Sequence, residues 1–253
     1  VTDLPTIEFE VKTPLDQRGL RSHVAWSTRQ GLVEVHEGRL RDDVVNIIAN
    51  GPSALDAPLE GLTCALNGAL KVFTEKGLAP TFWAGCDPQP LMVNFVKQAP
   101  AETVYLVASK CHKSVFNALK RRDVRLWHID DTDGHPWAVP TATSITLTAM
   151  SLFRRMGYQH FRLWGWDGCY LDGKDHANPQ PHHGDPVTVW VGDQPFRTTG
   201  TWALEAQDAV HQLRLGDYFV SVEGPGMIGA VLKALAPEVL MDPSRFNPGK
   251  TGS

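Results

Sequence analysis

Residues 44–53 read Val44-Val45-Asn46-Ile47-Ile48-Ala49-Asn50-Gly51-Pro52-Ser53, and this stretch decides the fold. Its first six residues are mostly apolar and β-branched, as in a parallel strand covered on both faces. Asn50-Gly51-Pro52-Ser53 then forces a tight turn, and Ser53 has the side chain of a helix N-cap. A strand running into a helix N-terminus presents free backbone N–H groups, which suits an anion such as a nucleotide phosphate. An ordinary strand-to-helix turn has the same appearance, so the stretch fixes a fold class before it fixes a ligand.

Outward from residue 53 the chain keeps the same rhythm. Strands are expected near 44–49, 62–66, 81–85, 103–107, 124–127, 160–165 and 217–222. Helical segments are expected near 54–59, 68–77, 90–98, 112–120, 142–156, 201–214 and 227–236. Such alternation predicts an α/β fold, a Rossmann-like and mostly parallel sheet with helices on both faces. Ligands of such sheets sit outside the carboxyl ends of the strands. Residues 1–42 carry no repeating pattern and read as an arm or small edge structure beside a main domain over 43–253. Residues 168–200 are long, Gly/Pro-rich and His-rich, with a hairpin expected around Gly192-Asp193. A loop of that length in a compact domain reads as a lid over the carboxyl edge. His128 to Pro140 is a second irregular stretch, acidic and carrying His128 and His135.

Length and composition narrow the class. The chain has 253 residues, 42% hydrophobic and 21% charged, which supports an ordinary globular core. A net charge of −4 argues against a broad basic face for nucleic acid. The densest basic cluster, Lys110, Lys113, Lys120, Arg121 and Arg122, reads as a solvated helix face. Cys64, Cys86, Cys111 and Cys169 form no close pair. That spacing gives neither a zinc knuckle nor a disulfide framework and fits a reducing cytoplasm. No apolar run approaches the roughly 18–20 residues of a membrane span, and the N-terminus lacks the blocks of a signal peptide. A soluble cytoplasmic protein is expected.

The expected strand ends collect polar residues: Asn50 to Ser53, Asn67 before Gly68, Asp87 after Cys86, and Gly165-Trp166-Asp167-Gly168-Cys169-Tyr170. All lie on one edge of a parallel sheet and converge on one crevice. Asn67 has an amide suited to a base or ribose. Asp87 suits Mg²⁺ between phosphates, or the orientation of an acceptor hydroxyl. Thr143 and Ser144 precede a helix and make a second anion site or a plain cap. His176, His182 and His183 fall in the expected lid and offer a general base near neutral pH. His182-His183 with Asp185 also resembles a scrap of a metal site. Gly224-Pro225-Gly226-Met227-Ile228-Gly229 matches a dinucleotide fingerprint, but too little chain follows it for a βαβαβ half. A tight turn beside the same crevice is the expected role.

In this order the motifs resemble the MptE-like family, which includes 6-hydroxymethylpterin diphosphokinases and motility-associated flagellin glycosyltransferases. The resemblance rests on Gly51-Pro52-Ser53, Asn67, Pro80-Thr81-Phe82 leading to Asp87, and Gly165 to Tyr170 followed by Gly173 and His176. It covers roughly residues 44–235, including a closing helix over 199–212 with Trp202. The layout also resembles bacterial sialyltransferases. That resemblance implies that Asn50, Gly51, Pro52, Ser53 and Asn67 grip a cytidine nucleotide. It further implies that Thr143 and Ser144 contact the donor, that Gly165, Asp167 and Tyr170 form a strand end, and that His182 or His183 is the base. Asp87 matches the MptE-like members and has no clear sialyltransferase counterpart. The expected lid has no tyrosine besides Tyr170 to steady a leaving phosphate.

The leading expectation is a transferase using a nucleotide or nucleotide-sugar donor, a glycosyltransferase moving a sugar to a hydroxyl acceptor. Glycan, protein, pterin and modified nucleic acid are not distinguished as acceptors. A Mg²⁺-dependent pterin diphosphokinase using ATP, with Asp87 on the metal, is the second expectation. Trp83, Trp164 or Trp166 would then stack on the pterin, although core is the commonest fate of a tryptophan. A non-catalytic nucleotide-binding module is the third.

Overall fold

The computed structural model describes residues 15–130, 135–178, 185–216 and 218–241. Among these residues the core is an eight-stranded sheet, every neighbouring pair of which is parallel. Its strands are β1 (Val33–Glu34), β2 (Arg41–Ile48), β3 (Thr63–Leu66), β4 (Phe82–Gly85), β5 (Val104–Ala108), β6 (Asp123–Trp127), β7 (Tyr158–Trp164) and β10 (Phe219–Val222). The order across the sheet is β1-β6-β5-β4-β3-β2-β7-β10. Helices α1 (Gln17–Thr28), α2 (Leu70–Thr74), α3 (Lys113–Ala118), α4 (Ile145–Arg155), α5 (Gly200–Leu215) and α6 (Met227–Leu235) connect and flank the strands. This is the α/β, Rossmann-like fold that the alternation predicts.

The central strands show why. Val45, Ile47 and Ile48 of β2 are fully buried, as are Cys64 and Ala65 of β3 and Val107 and Ala108 of β5. Strands covered on both faces need near-continuous apolar runs, and these residues supply them. Ile47 pairs with Cys64 on one side and Leu163 on the other, so β2 is held from both edges. Asp16 and Ser144 accept from backbone N–H groups at the starts of α1 and α4. The expected hairpin forms as β8 (Pro186–Val191) and β9 (Gln194–Thr199), antiparallel, with Gly192 at φ +59 in its turn.

Some segments differ from expectation. The helix expected at 54–59 is one 3₁₀ turn over Pro52–Asp56, capped by Gly51 rather than Ser53. The segment expected at 90–98 is 3₁₀ over Pro90–Val96, and the one at 68–77 begins with a 3₁₀ turn over Asn67–Ala69. Proline starts the first two. In the stretch before residue 43, α1 and β1 were not distinguished in the sequence; β1 pairs with β6 at the sheet edge.

Candidate functional site

The chain steps from β2 through β3, β4 and β5 to β6 in one direction, then returns to place β7 on the other side of β2. Strand order therefore reverses between β2 and β7, the position where open α/β sheets bind ligands. Ile48 pairs with Trp164 there, so Asn50 and Gly165 emerge side by side. A cavity of about 160 Å³ opens at this point. Asn50, Gly51, Asn67, Ser144, Gly165, Asp167 and His176 line it, together with Trp166, Asp175, Trp202 and Glu205. Four expected strand-end motifs thus contribute unequally: three meet at one cavity, and Asp87 does not line it.

The turn after β2 is occupied by the protein itself. Ser53 N and Oγ donate to Asp167 Oδ2 and Oδ1 at 2.9 and 2.6 Å. Gly165 N donates to Ser53 Oγ at 3.1 Å, and Gly51 N donates to Gly165 O at 2.8 Å. Ala54 N donates to Gly51 O at 3.0 Å. The N–H groups expected to cradle a phosphate are therefore committed, and the carboxyl group at this turn is Asp167. Ser53 and Asp167 are buried and act as a clasp between the ends of β2 and β7. Pro52, in the same turn, is not among the cavity residues. Burial raises the Asp167 pKa above the usual carboxylate value, partly offset by the two Ser53 bonds.

The glycine turn before α6 closes over this clasp. A Cβ on Gly226 would lie 2.5 Å from Asp167 Cα, and one on Gly224 would lie 2.7 Å from Ser53 Cβ. Ile228 N donates to Asp167 O at 3.2 Å. The fingerprint glycines serve close backbone packing, as expected for a tight turn rather than a dinucleotide site.

What remains open to a ligand is a ring of side chains. Asn50 Nδ2 and Asn67 Oδ1 are buried and have no hydrogen-bond partner among the described residues. Asn67 itself sits at φ +45, which asparagine tolerates better than most residues, and its carbonyl accepts from Trp83 Nε1 at 2.9 Å. Ser144 caps α4 by accepting from Leu147 N at 3.4 Å, and with Ile145 and Thr146 it places the start of this 11-residue helix on the cavity. Thr143 does not line it; its N and Oγ1 both donate to Asp208 Oδ2 on α5, at 3.0 and 2.7 Å. Tyr170 is also outside, with Arg197 over its ring at 5.1 Å and Trp202 against its edge.

Residues 175–178 reach the cavity through Asn50. Its carbonyl accepts from Ala177 N at 2.8 Å, and its Oδ1 accepts from Asn178 Nδ2 at 3.5 Å. This brings His176 to the cavity wall, with Nδ1 3.4 Å from Asp175 Oδ1 and the ring edge-on to Trp202. His182 and His183 lie outside the described residues.

Besides Asp175, sequence reasoning missed Glu205. It is buried on α5, accepts a hydrogen bond from Trp166 Nε1, and pairs with Ser144. Burial raises its pKa above the usual glutamate value. The only signal in sequence was its place in the segment with Trp202.

With this geometry in place, one solved structure can be set beside it. The chain is similar in fold to the MAf glycosyltransferase from Magnetospirillum magneticum AMB-1, with a TM-score of 0.64 and 13% identity. The likeness covers 85% of this chain and 38% of that one, so the chain spans well under half of the neighbour's length. At this identity the likeness shows the fold. No protein-family model matches the chain, and no curated protein matches it by sequence.

Asp87 lies outside the cavity lining. Asp87 Oδ1 accepts from Gln89 N at 2.8 Å, closing a turn before the 3₁₀ segment. Both Asp167 oxygens are taken by Ser53. Among the described residues no group of three potential ligands gathers at this cavity. Trp83 is core and Trp164 packs under Arg162, which leaves Trp166 and Trp202 as the aromatic walls. Among the described residues no helix is long and apolar enough to cross a membrane.

Proposed function

We propose that the cavity holds the nucleotide of an activated donor and that the protein is a glycosyltransferase, moving a sugar to a hydroxyl acceptor in the manner of the sialyltransferases its motifs resemble. The observation that carries this reading is the pair of buried, unbonded amide atoms, Asn50 Nδ2 and Asn67 Oδ1, on one cavity at the strand-order switch. One donor and one acceptor make the complement of a base or ribose edge. The cavity is smaller than the roughly 300 Å³ of a full small-molecule site, so it encloses part of the nucleotide and leaves the sugar at its mouth. The chemistry follows from the lining. His176, oriented by Asp175, takes the acceptor proton as the hydroxyl oxygen attacks the anomeric carbon. The bond from that carbon to the phosphate oxygen breaks, and the electron pair leaves on the phosphate. The first amides of α4 stabilise the new charge, and the Glu205 carboxyl delivers a proton to it.

A thermal-shift screen of CMP, CDP, UDP, GDP and ATP, each with Mg²⁺ and with EDTA, tests the reading. CMP or a nucleoside diphosphate is expected to raise the midpoint with EDTA present. Asn50→Ala and Asn67→Gly, the latter keeping the positive φ, are expected to weaken that nucleotide by about tenfold. Asp87→Ala is expected to leave the affinity unchanged. Stabilisation by ATP alone, only with Mg²⁺ and lost in Asp87→Ala, would replace this reading with the diphosphokinase. Binding without turnover on any donor would favour a nucleotide-binding module.

A further inference from the structure

A second cavity, of about 330 Å³, adjoins the first and has about twice its volume. It reaches the roughly 300 Å³ of a full small-molecule site. Strands β3 and β4 are parallel neighbours, so the segments that follow them leave the sheet side by side. These are the turn Asn67–Ala69 running into α2, and the 3₁₀ segment Pro90–Val96. The cavity lies between them. Leu70, which is buried, and Phe95, which is half-buried, give it apolar surface. Thr74, Asn94 and Gln98 add a hydroxyl and two amides. A third amide comes from the buried Asn178. Its Nδ2 donates to Asn50 Oδ1 at 3.5 Å, and among the described residues its Oδ1 accepts nothing.

Charge decides between ligand classes. Lys71 and Lys97 line the cavity, and among the described residues no carboxylate does. Lys71 also reaches the exposed Glu75 at 3.3 Å, a pair that costs little to break. Lys97 has no ion-pair partner among the described residues. A sugar ring offers hydroxyls to the amides and a C–H face to Phe95 and Leu70. Two ammonium groups add a preference for an anionic substituent on that ring. Position then fixes the role. Asn67 lines the first cavity and Gly68 the second, while Asn178 lines the second and His176, two residues earlier, lines the first. A molecule bound here lies across the Asn50–Asn178 bond from the nucleotide, beside the segment that carries the base. Resting on the glycosyltransferase reading, we propose that this second cavity binds the acceptor, and that the acceptor is a sugar carrying a carboxylate or a phosphate.

The test is saturation-transfer NMR on the intact chain in EDTA, with glucuronate, glucose 6-phosphate and glucose as probes. At least one anionic sugar is expected to bind saturably and about tenfold tighter than glucose, and the two anionic arms distinguish carboxylate from phosphate. The double variant Lys71→Gln with Lys97→Gln, at two exposed positions, removes that margin with an unchanged far-UV circular dichroism spectrum. Saturation transfer to the sugar persists when the nucleotide that raises the thermal midpoint is added. Absence of saturable binding by both anionic sugars overturns the proposal, as does a margin that survives in the double variant. Inorganic phosphate binding as tightly as glucose 6-phosphate also overturns it, because the site is then for a bare anion. Displacement of the sugar by the nucleotide overturns it by placing the sugar in the first cavity. The nucleotide screen is read on its own, and the double variant leaves its shifts unchanged. Nucleotide binding without sugar binding therefore overturns this inference alone, and sugar binding without nucleotide binding overturns the glycosyltransferase reading.

Discussion

Glu205→Gln lowers turnover by about a hundredfold and leaves the protein at neutral pH as stable as the wild type, or more stable. The two halves of this expectation have one cause. Glu205 is buried against Trp166 and Ser144, and burial raises its folded pKa above its unfolded one. A group raised in this way binds its proton more tightly in the folded state. Its contribution to stability is therefore full below the ordinary carboxylate pKa, and is lost as pH rises through the raised value. Gln removes that loss, because an amide has nothing to ionise. It keeps an acceptor for Trp166 Nε1 and a polar group beside the Ser144 hydroxyl. It lacks only the proton that the proposed mechanism delivers to the leaving phosphate. General acid catalysis contributes about 10²–10⁴-fold, and the retained hydrogen bonds place the loss at the lower end. Denaturant melts from acid to neutral pH, beside kcat and KM, check both halves. Unchanged kcat removes Glu205 from the chemistry. A variant less stable than the wild type at neutral pH contradicts the burial argument.

Asp167 titrates with the same sign, yet its role is different, and the contrast shows what a sequence can and cannot reveal. The apolar run from Val44 and the turn at Asn50 to Ser53 are local signals, so β2 and the position of the crevice were legible. The same holds for the hairpin around Gly192, where a positive φ calls for glycine. Ser53 was misread as a cap because its partner, Asp167, is 114 residues away. No local pattern tells a capping serine from one clasped by a distant carboxyl. Thr143 was misread for the same reason, since Asp208 lies on another helix. Asp87 did have a local reading, an aspartate bonding the backbone two residues on before Pro90, and the structure follows it. Glu205 was invisible because Ala-Leu-Glu-Ala-Gln reads as the exposed part of a helix. Its burial depends on Trp166, which arrives from the end of β7. α1 was hidden by its own composition: only Val24 and Ser27 of its residues are buried, so its apolar stripe is too thin to read.

Gly165→Ala is expected to be the most destabilising single-methyl change among three glycines, costing about 2–5 kcal/mol. Gly165 has φ +65, where an L side chain costs about 1–2 kcal/mol. A Cβ there would also lie 2.5 Å from Ala49 O and 2.7 Å from Ala54 Cβ, and overpacking costs about 1–3 kcal/mol. The other two glycines separate these effects. Gly192 has φ +59 with nothing near its Cβ position, so Gly192→Ala measures backbone strain alone. Gly226 has φ −69 but would press on Asp167, so Gly226→Ala measures the clash alone. For a chain of this size each kcal/mol lowers the midpoint by roughly 2–4 °C. Gly165→Ala should therefore melt roughly 4–20 °C below the wild type, by about the sum of the other two. The sum tests the switch point itself: Gly165 N and O hold Ser53 Oγ and Gly51 N, so moving this residue moves both walls of the cavity. A Gly165→Ala midpoint no lower than that of Gly192→Ala would mean that the ends of β2 and β7 can separate at little cost. The clasp of Ser53 and Asp167 would then not be what fixes Asn50 in the cavity wall.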